Sequence, residues 1–336
     1  MRNFLKEYYS SNYRHITTPP PILKEAVTKG NTMEIWNDPY SGDISFLRAG
    51  RANNPKGVDI AVMGIPYDLG TTGRPGTRFG PRGVREQSLA AGEFKWGVWP
   101  WDYDVRDKHV VRDLGDLTGF TAYPDRLCPI VEERALEILN AGSSLFSIGG
   151  DHFVSYPLLR AHAKKYGPLA LVQFDAHSDT WISDDLNHGT MFYHAIKEGI
   201  IDLAHSVQVG LRTPNPDMHG ILNLDADMCL TTPATEIAAK IRDRVGSAQA
   251  YLTFDIDFLD PAYAPATGTP VSGGPSVGYG RHVLQALKGL NIVGGDLVEV
   301  APHYEGPAQI TALAGATLGA DILYLIGEAR SSGQKR

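Results

Sequence analysis

From residue 58 onward, short apolar runs alternate with stretches of helical spacing. The runs 58–64, 145–148, 169–174, 206–210, 250–254 and 292–293 are rich in Val, Ile and Leu and are bounded by turn residues. Short continuous apolar runs are the mark of strands covered on both faces, as in a parallel sheet. Between them, 129–140, 157–165, 233–245 and 281–289 predict helices, the third capped by Thr232 with Pro233 at its first position. Strand–helix alternation predicts a layered α/β sandwich around one mostly parallel sheet. No repeat or linker interrupts the pattern, so 57–336 reads as a single domain. Residues 1–56 depart from it. They carry Pro19-Pro20-Pro21, several tyrosines and little periodicity, and predict an extended arm lying on the body or on a neighbouring subunit.

Sites in open α/β sheets form beyond the carboxyl ends of the strands. Three of the apolar runs lead directly into acids and imidazoles: Gly149-Gly150-Asp151-His152, Asp175-Ala176-His177-Ser178-Asp179 and Asp255-Ile256-Asp257. Side chains two apart in extended chain share a face. Asp175, His177 and Asp179 therefore group together, as do Asp255 and Asp257, and His152 joins them. An isolated Asp-x-Asp is usually a turn, but three such segments at three strand ends are not explained by turns. Four clustered carboxylates repel and cannot all stay ionised without compensation. Two divalent cations supply it, about 3.5–4 Å apart, and would activate a water between them. Oxygen-rich ligation with two imidazoles suits Mn(II), with Ni(II), Co(II) or Fe(II) also admissible, better than Zn(II) alone.

Other features narrow the function. A formal net charge of −7 argues against a nucleic-acid partner. The segment 70–76 is rich in glycine but lacks the Gly-Lys-Ser/Thr ending of a phosphate loop. Cys128 and Cys229 have neither redox nor metal-ligand spacing, which predicts reduced thiols and a cytoplasmic setting. No run of about 20 apolar residues is evident, so no membrane span is expected. His162, His194, His205, His219 and His303 have no partner motif. Arg212, at a strand end, is expected to form a structural ion pair.

The three strand-end segments resemble the signature motifs of the ureohydrolases, the arginase and agmatinase family. The likeness extends through Thr253-Phe254-Asp255-Ile256-Asp257, Leu259-Asp260-Pro261, Ala264-Pro265 and Thr267-Gly268-Thr269-Pro270. Asn187-His188-Gly189-Thr190-Met191-Phe192, Val209-Gly210-Leu211-Arg212-Thr213 and Val298-Glu299-Val300-Ala301-Pro302 are similar to bacterial agmatinases in particular. Together they cover residues 58–325. The resemblance implies a three-layer α/β/α sandwich with a central, mostly parallel eight-stranded sheet, assembled as trimers or hexamers, with a paralogous subunit a further option. It implies a binuclear centre of manganese, or nickel as in some relatives, held by His152, Asp175, His177, Asp179, Asp255 and Asp257, with Asp175 and Asp257 shared. Glu299 would pair with a guanidinium and His188 would shuttle a proton to the leaving amine, with Asp151 orienting a ligand. Asn187, Trp181 and His303 would line the substrate pocket.

The implied reaction is hydrolysis of a guanidino compound to urea and an amine, with agmatine the first substrate to consider. Phe258, Ala266, Trp181 and the 303–306 segment depart from the family pattern and would narrow the pocket. That keeps guanidinobutyrate, guanidinopropionate, guanidine, alkylguanidines and biguanides in view. Asp184 and Asp185 could favour a distal ammonium. Two other classes compete with this reading, a non-catalytic subunit supporting a paralogue and a one-metal deacetylase-type hydrolase; metal content per chain separates them.

Overall fold

The computed structural model describes residues 42–93, 98–119 and 124–333. Eight strands form one sheet: β1 (Ile60–Ile65), β2 (Val111–Asp116), β3 (Ser144–Gly149), β4 (Ala170–Phe174), β5 (Val207–Val209), β6 (Leu222–Leu224), β7 (Ala250–Asp255) and β8 (Ile292–Val298). All pairings are parallel, in the order β2-β1-β3-β8-β7-β4-β5-β6. The helices that cover it include α1 (Gly80–Gly92), α2 (Pro124–Asn140), α3 (Ser155–Tyr166), α4 (Met191–Lys197), α5 (Ala234–Val245), α6 (Val277–Ala286) and α7 (Ile310–Gly333).

The strands read as unbroken apolar runs because each face of the sheet has its own core. Ile60, Val62, Phe146, Ile148, Val172 and Phe174 pack on the side of α1, α5, α6 and α7. Ala61, Met63, Leu145, Leu171 and Tyr251 pack on the side of α2, α3 and α4. Helices on both faces make the three layers.

Register matters most for the site. Ile148 lies level with Leu297, Leu297 with Phe254, and Phe254 with Phe174. β3, β8, β7 and β4 are also contiguous in the sheet. Four neighbouring strands therefore release their chains at one height, and the residues that follow are brought together.

Several expectations change. β2 and β6 were not anticipated. β6 is only three residues long, and β2 carries Arg112, Asp113 and Asp116 in place of an apolar run. Asp113 is buried because Arg85 and Arg51 pair with it. Thr232 does not cap α5. It ends the preceding short helix, and Pro233, in extended backbone, is itself the residue before the first turn. Residues 43–56, expected in the arm, pack onto the body: Phe46 and Leu47 are buried in the core and Arg51 bridges to Asp113. Trp36, Tyr40 and the three prolines lie outside the described residues. Finally, α7 is long and apolar enough, by length and composition, to cross a bilayer, contrary to expectation. Its most apolar window is 83% buried within the protein. Apolarity all round a helix is what burial in a core demands.

Candidate metal centre and active site

The four strand ends converge on an acidic cluster. His152 follows β3, Asp175 follows β4, and Asp255 is the last residue of β7. Gly150 lets the chain pass: a Cβ there would stand 1.7 Å from the Tyr67 carbonyl oxygen. His152 Nδ1 lies 3.0, 2.9 and 3.3 Å from oxygens of Asp175, Asp179 and Asp255. His177 Nδ1 lies 3.1 Å from Asp257 and 3.5 Å from Asp175. Short backbone bonds aim the acids. The His177 amide donates to Asp175 Oδ1 at 2.6 Å, and the Asp257 amide donates to Asp255 Oδ1 at 2.8 Å. Asp179 takes a left-handed conformation, φ 55°. Non-glycine residues held there are frequent at functional sites.

Two overlapping groups of ligand atoms result: His152, Asp175 and Asp255, and Asp175, His177 and Asp257. Asp175 belongs to both. Asp257 belongs to the His177 group alone, so the expected sharing of Asp257 does not follow from this geometry.

The electrostatics require positive charge here. Burial, then Asp257 and Asp175, push Asp255 well above the usual carboxylate range. Burial and Asp175 raise Asp179 to about 6. Burial opposes a charged His177, yet Asp257 and Asp175 draw it up to about 12. Most telling is His152 Nδ1, which is buried without a hydrogen-bond partner while facing three carboxylates. A ring nitrogen and carboxylate oxygens converging on one point supply the donors of a coordination shell. The donor set fits a pair of hard to borderline divalent cations.

Glu299 follows β8 at φ 65° and is fully buried. Its Oε1 accepts from the His152 amide and faces His188 Nδ1, both at 2.8 Å. Its Oε2 is buried with no partner. Space is left before Oε2, since a Cβ on Gly268 would come within 3.3 Å of it. His188 is also held through Nε2, which accepts from the Thr72 amide at 3.0 Å with the Thr72 hydroxyl at 2.8 Å. In the neutral ring, a donor on Nε2 places the proton on Nδ1, toward Glu299. Burial resists the charged ring, but Glu299 outweighs it and draws His188 up to about 9.

The remaining site candidates fare differently. Asp151 accepts from the Gly70 amide at 2.7 Å and so anchors the glycine-rich loop; none of its hydrogen bonds orients His152. Asn187 accepts from the Gly189 amide at 2.9 Å, which shapes the turn that presents His188. Trp181 is 43% exposed on the loop that leads to His188. His303 packs on Phe79, ring centroids 4.2 Å apart. Arg212 forms no ion pair among the described residues. It donates to the carbonyls of Gly210, Asp257, Phe258, Leu259 and Val271, and so braces the turn that carries Asp257.

The departures thought to narrow the pocket mostly do something else. Phe258 is fully buried between Phe174 and Phe254, with centroids 5.4 and 5.3 Å away. Ala266 is tied by its backbone to Thr311 and Ala301. Glu305 caps α7 by accepting from the amides of Thr311 and Ala312. Phe258→Leu is accordingly expected to lower the unfolding free energy by roughly 1–3 kcal/mol without moving KM for a guanidino substrate. A changed KM at unchanged stability would put the ring in the pocket after all.

Sequence reasoning missed Thr72 and Thr253. Thr253 carried a signal, since residue 253 shares a strand face with residue 255; its Oγ1 lies 2.8 Å from His152 Nε2. Thr72 carried none, because its approach depends on how a loop folds back.

Comparison with known proteins agrees with this geometry. The model of the arginase family matches residues 58–324. An agmatinase of Chromobacterium violaceum is 46% identical over 88% of this chain and 92% of its own length. The crystal structure of a hypothetical agmatinase from Burkholderia thailandensis superposes with a TM-score of 0.84 at 45% identity, covering 88% of this chain and 94% of that one. Proclavaminate amidino hydrolase from Streptomyces clavuligerus gives a TM-score of 0.80 at 35% identity, covering 87% and 99%.

Proposed function

The chain belongs to the arginase family, and from that premise we propose that it hydrolyses agmatine to putrescine and urea. The observation that carries the guanidino chemistry is the free Oε2 of Glu299, a buried acceptor beside the acidic cluster. A planar guanidinium offers paired N–H donors to such a carboxylate. The agmatinase relative at 46% identity supports agmatine as the compound that brings it.

His152, Asp175, Asp179 and Asp255 would hold one divalent ion, and Asp175, His177 and Asp257 the other, with Mn(II) favoured over Ni(II). When bound, the ions lower the pKa of a water so that it is nucleophilic near neutral pH. Glu299 orients the guanidinium with its carbon turned toward the acidic cluster. The oxygen of that water would add to the guanidinium carbon. The C–N bond to the butyl chain would break to leave urea, and a proton would pass to the departing amine. His188 carries that proton; its Nδ1–H toward Glu299 and its Nε2 beside the Thr72 hydroxyl support the role. Asp184 and Asp185, exposed before Asn187, suit the distal ammonium of agmatine.

Two free, buried cysteines fit a cytoplasmic setting, and a trimeric or hexameric assembly follows the family. A second reading, another guanidino substrate, is supported by the 35% identical amidino hydrolase and by the exposed Trp181 at the rim.

The test is urea release by protein loaded separately with Mn(II) and Ni(II). Its panel runs from agmatine, guanidinobutyrate and guanidinopropionate to guanidine, dimethylguanidine and a biguanide. Agmatine is expected to be turned over best. Urea from another member of the panel but not from agmatine would replace the substrate and keep the chemistry. Bound metal near two per chain supports the binuclear reading, near one the deacetylase type, and near zero a silent subunit.

A further inference from the structure

We propose that Thr253 and Asp296 form a hydrogen-bond relay that fixes the tautomer of His152, so that metal affinity depends on an aspartate that is not itself a ligand. The proposal rests on the reading of His152 as a metal ligand.

Asp296 is a lone acid in the otherwise apolar strand β8, fully buried and three residues before Glu299. Three hydroxyls donate to it. Ser155 and Tyr251 reach Oδ2, each at 2.7 Å, and Thr253 reaches Oδ1 at 2.5 Å. A carboxylate only accepts, and a threonine hydroxyl has one proton. Thr253 therefore spends that proton on Asp296. Toward His152 Nε2, at 2.8 Å, it can only accept. The imidazole proton must then sit on Nε2, and the lone pair on Nδ1, where Asp175, Asp179 and Asp255 converge. With Asp296 ionised, the form its three hydroxyl donors favour, proton accounting along His152, Thr253 and Asp296 leaves one arrangement. It also explains an ionisable group buried in the middle of the sheet that the proposed reaction does not use. Thr253 and Asp296 are positioning residues, acting through His152.

The test is Mn(II) affinity, measured by competition with a chromophoric chelator. Partners behind a ligating histidine typically contribute about 10–100-fold to metal affinity. Thr253→Val and Asp296→Leu, which remove the hydroxyl and its acceptor, should weaken binding by that order. Thr253→Ser, which keeps the hydroxyl, should restore it. Tyr251→Phe removes a donor to Asp296 but leaves the relay, and should bind Mn(II) like the wild type. If all of these variants lose affinity together, Asp296 is merely structural and the proposal fails. A second measurement does not depend on the variants folding. In wild-type protein loaded with diamagnetic Zn(II), histidine ring ¹⁵N shifts should show the His152 proton on Nε2; a proton on Nδ1 overturns the relay. Wild-type protein that binds no divalent ion overturns both the relay and the reading of His152 as a ligand. Wild type that binds two ions per chain, with Thr253→Val binding as tightly, overturns the relay alone.

Discussion

Glu299→Gln is expected to lower kcat/KM for agmatine roughly 10²- to 10³-fold while leaving metal content intact. The glutamate is fully buried, and one of its oxygens has no partner. Burial, and then the charge of Glu299, push up the carboxyl of Asp151. His188 faces that charge through Nδ1, so an amide of the same shape gives up an ion pair along with the repulsion, and the two effects oppose each other in stability. With a guanidinium present the loss is larger. Losing one partner of a desolvated charge pair costs about 2–5 kcal/mol, and each 1.4 kcal/mol is tenfold. The amide would additionally point N–H donors at the N–H donors of the substrate. The glutamine can keep Oε1 and its bond from the His152 amide, so the metal groups should survive. Activity, metal stoichiometry and melting temperature measured on one preparation decide the matter. Loss of metal together with activity would mean that Glu299 supports the centre rather than the substrate.

Asp175→Asn should do the converse and empty both metal groups, with urea release falling to background. Asp175 is the one residue common to the two groups. The asparagine keeps its size and an oxygen but loses the charge, so neither ion would find enough anionic ligands. Changes behind a ligand already cost about 10–100-fold in metal affinity, and a shared ligand should exceed that for both ions. Asp257→Asn, which touches only the His177 group, should retain about one ion per chain on this reasoning. Metal analysis of the two variants distinguishes shared from single ligation; equal losses would contradict the grouping. The same logic governs chelation. Four buried carboxylates without cations repel, so stripping the metal should lower the melting temperature. Restoring Mn(II) at about a hundredfold excess over Kd should return about 2.7 kcal/mol for each ion bound.

The pocket departures show how far a single chain can be read locally. Phe258 sits next to a ligand in sequence, and nothing in the sequence distinguishes a ring that lines a pocket from one turned into the core. In the fold it packs between Phe174 and Phe254. Arg212 likewise looked like an ion-pair partner, yet it binds carbonyls of the turn that carries Asp257. Both depend on which face of a loop meets the sheet, and local spacing does not encode that.

What the sequence determined by itself was the layered parallel sheet and the inventory of the centre. Apolar runs on strands covered from both sides, each ending in Asp or His, are local patterns. Chain alternation alone groups Asp175 with His177 and Asp179, and Asp255 with Asp257. The tertiary structure decided which groups meet. β8 lies between β3 and β7, a placement made by long crossovers that leave no periodic trace, and it brings Glu299 and Asp296 beside His152. The return of the 70–76 loop onto His188 and Asp151 is equally non-local. So is the separation of Asp257 from Asp255 into different metal groups. The physical reason is common to all three. Strand periodicity sets the side of the backbone on which a side chain stands, whereas the packing of distant segments sets what it stands against.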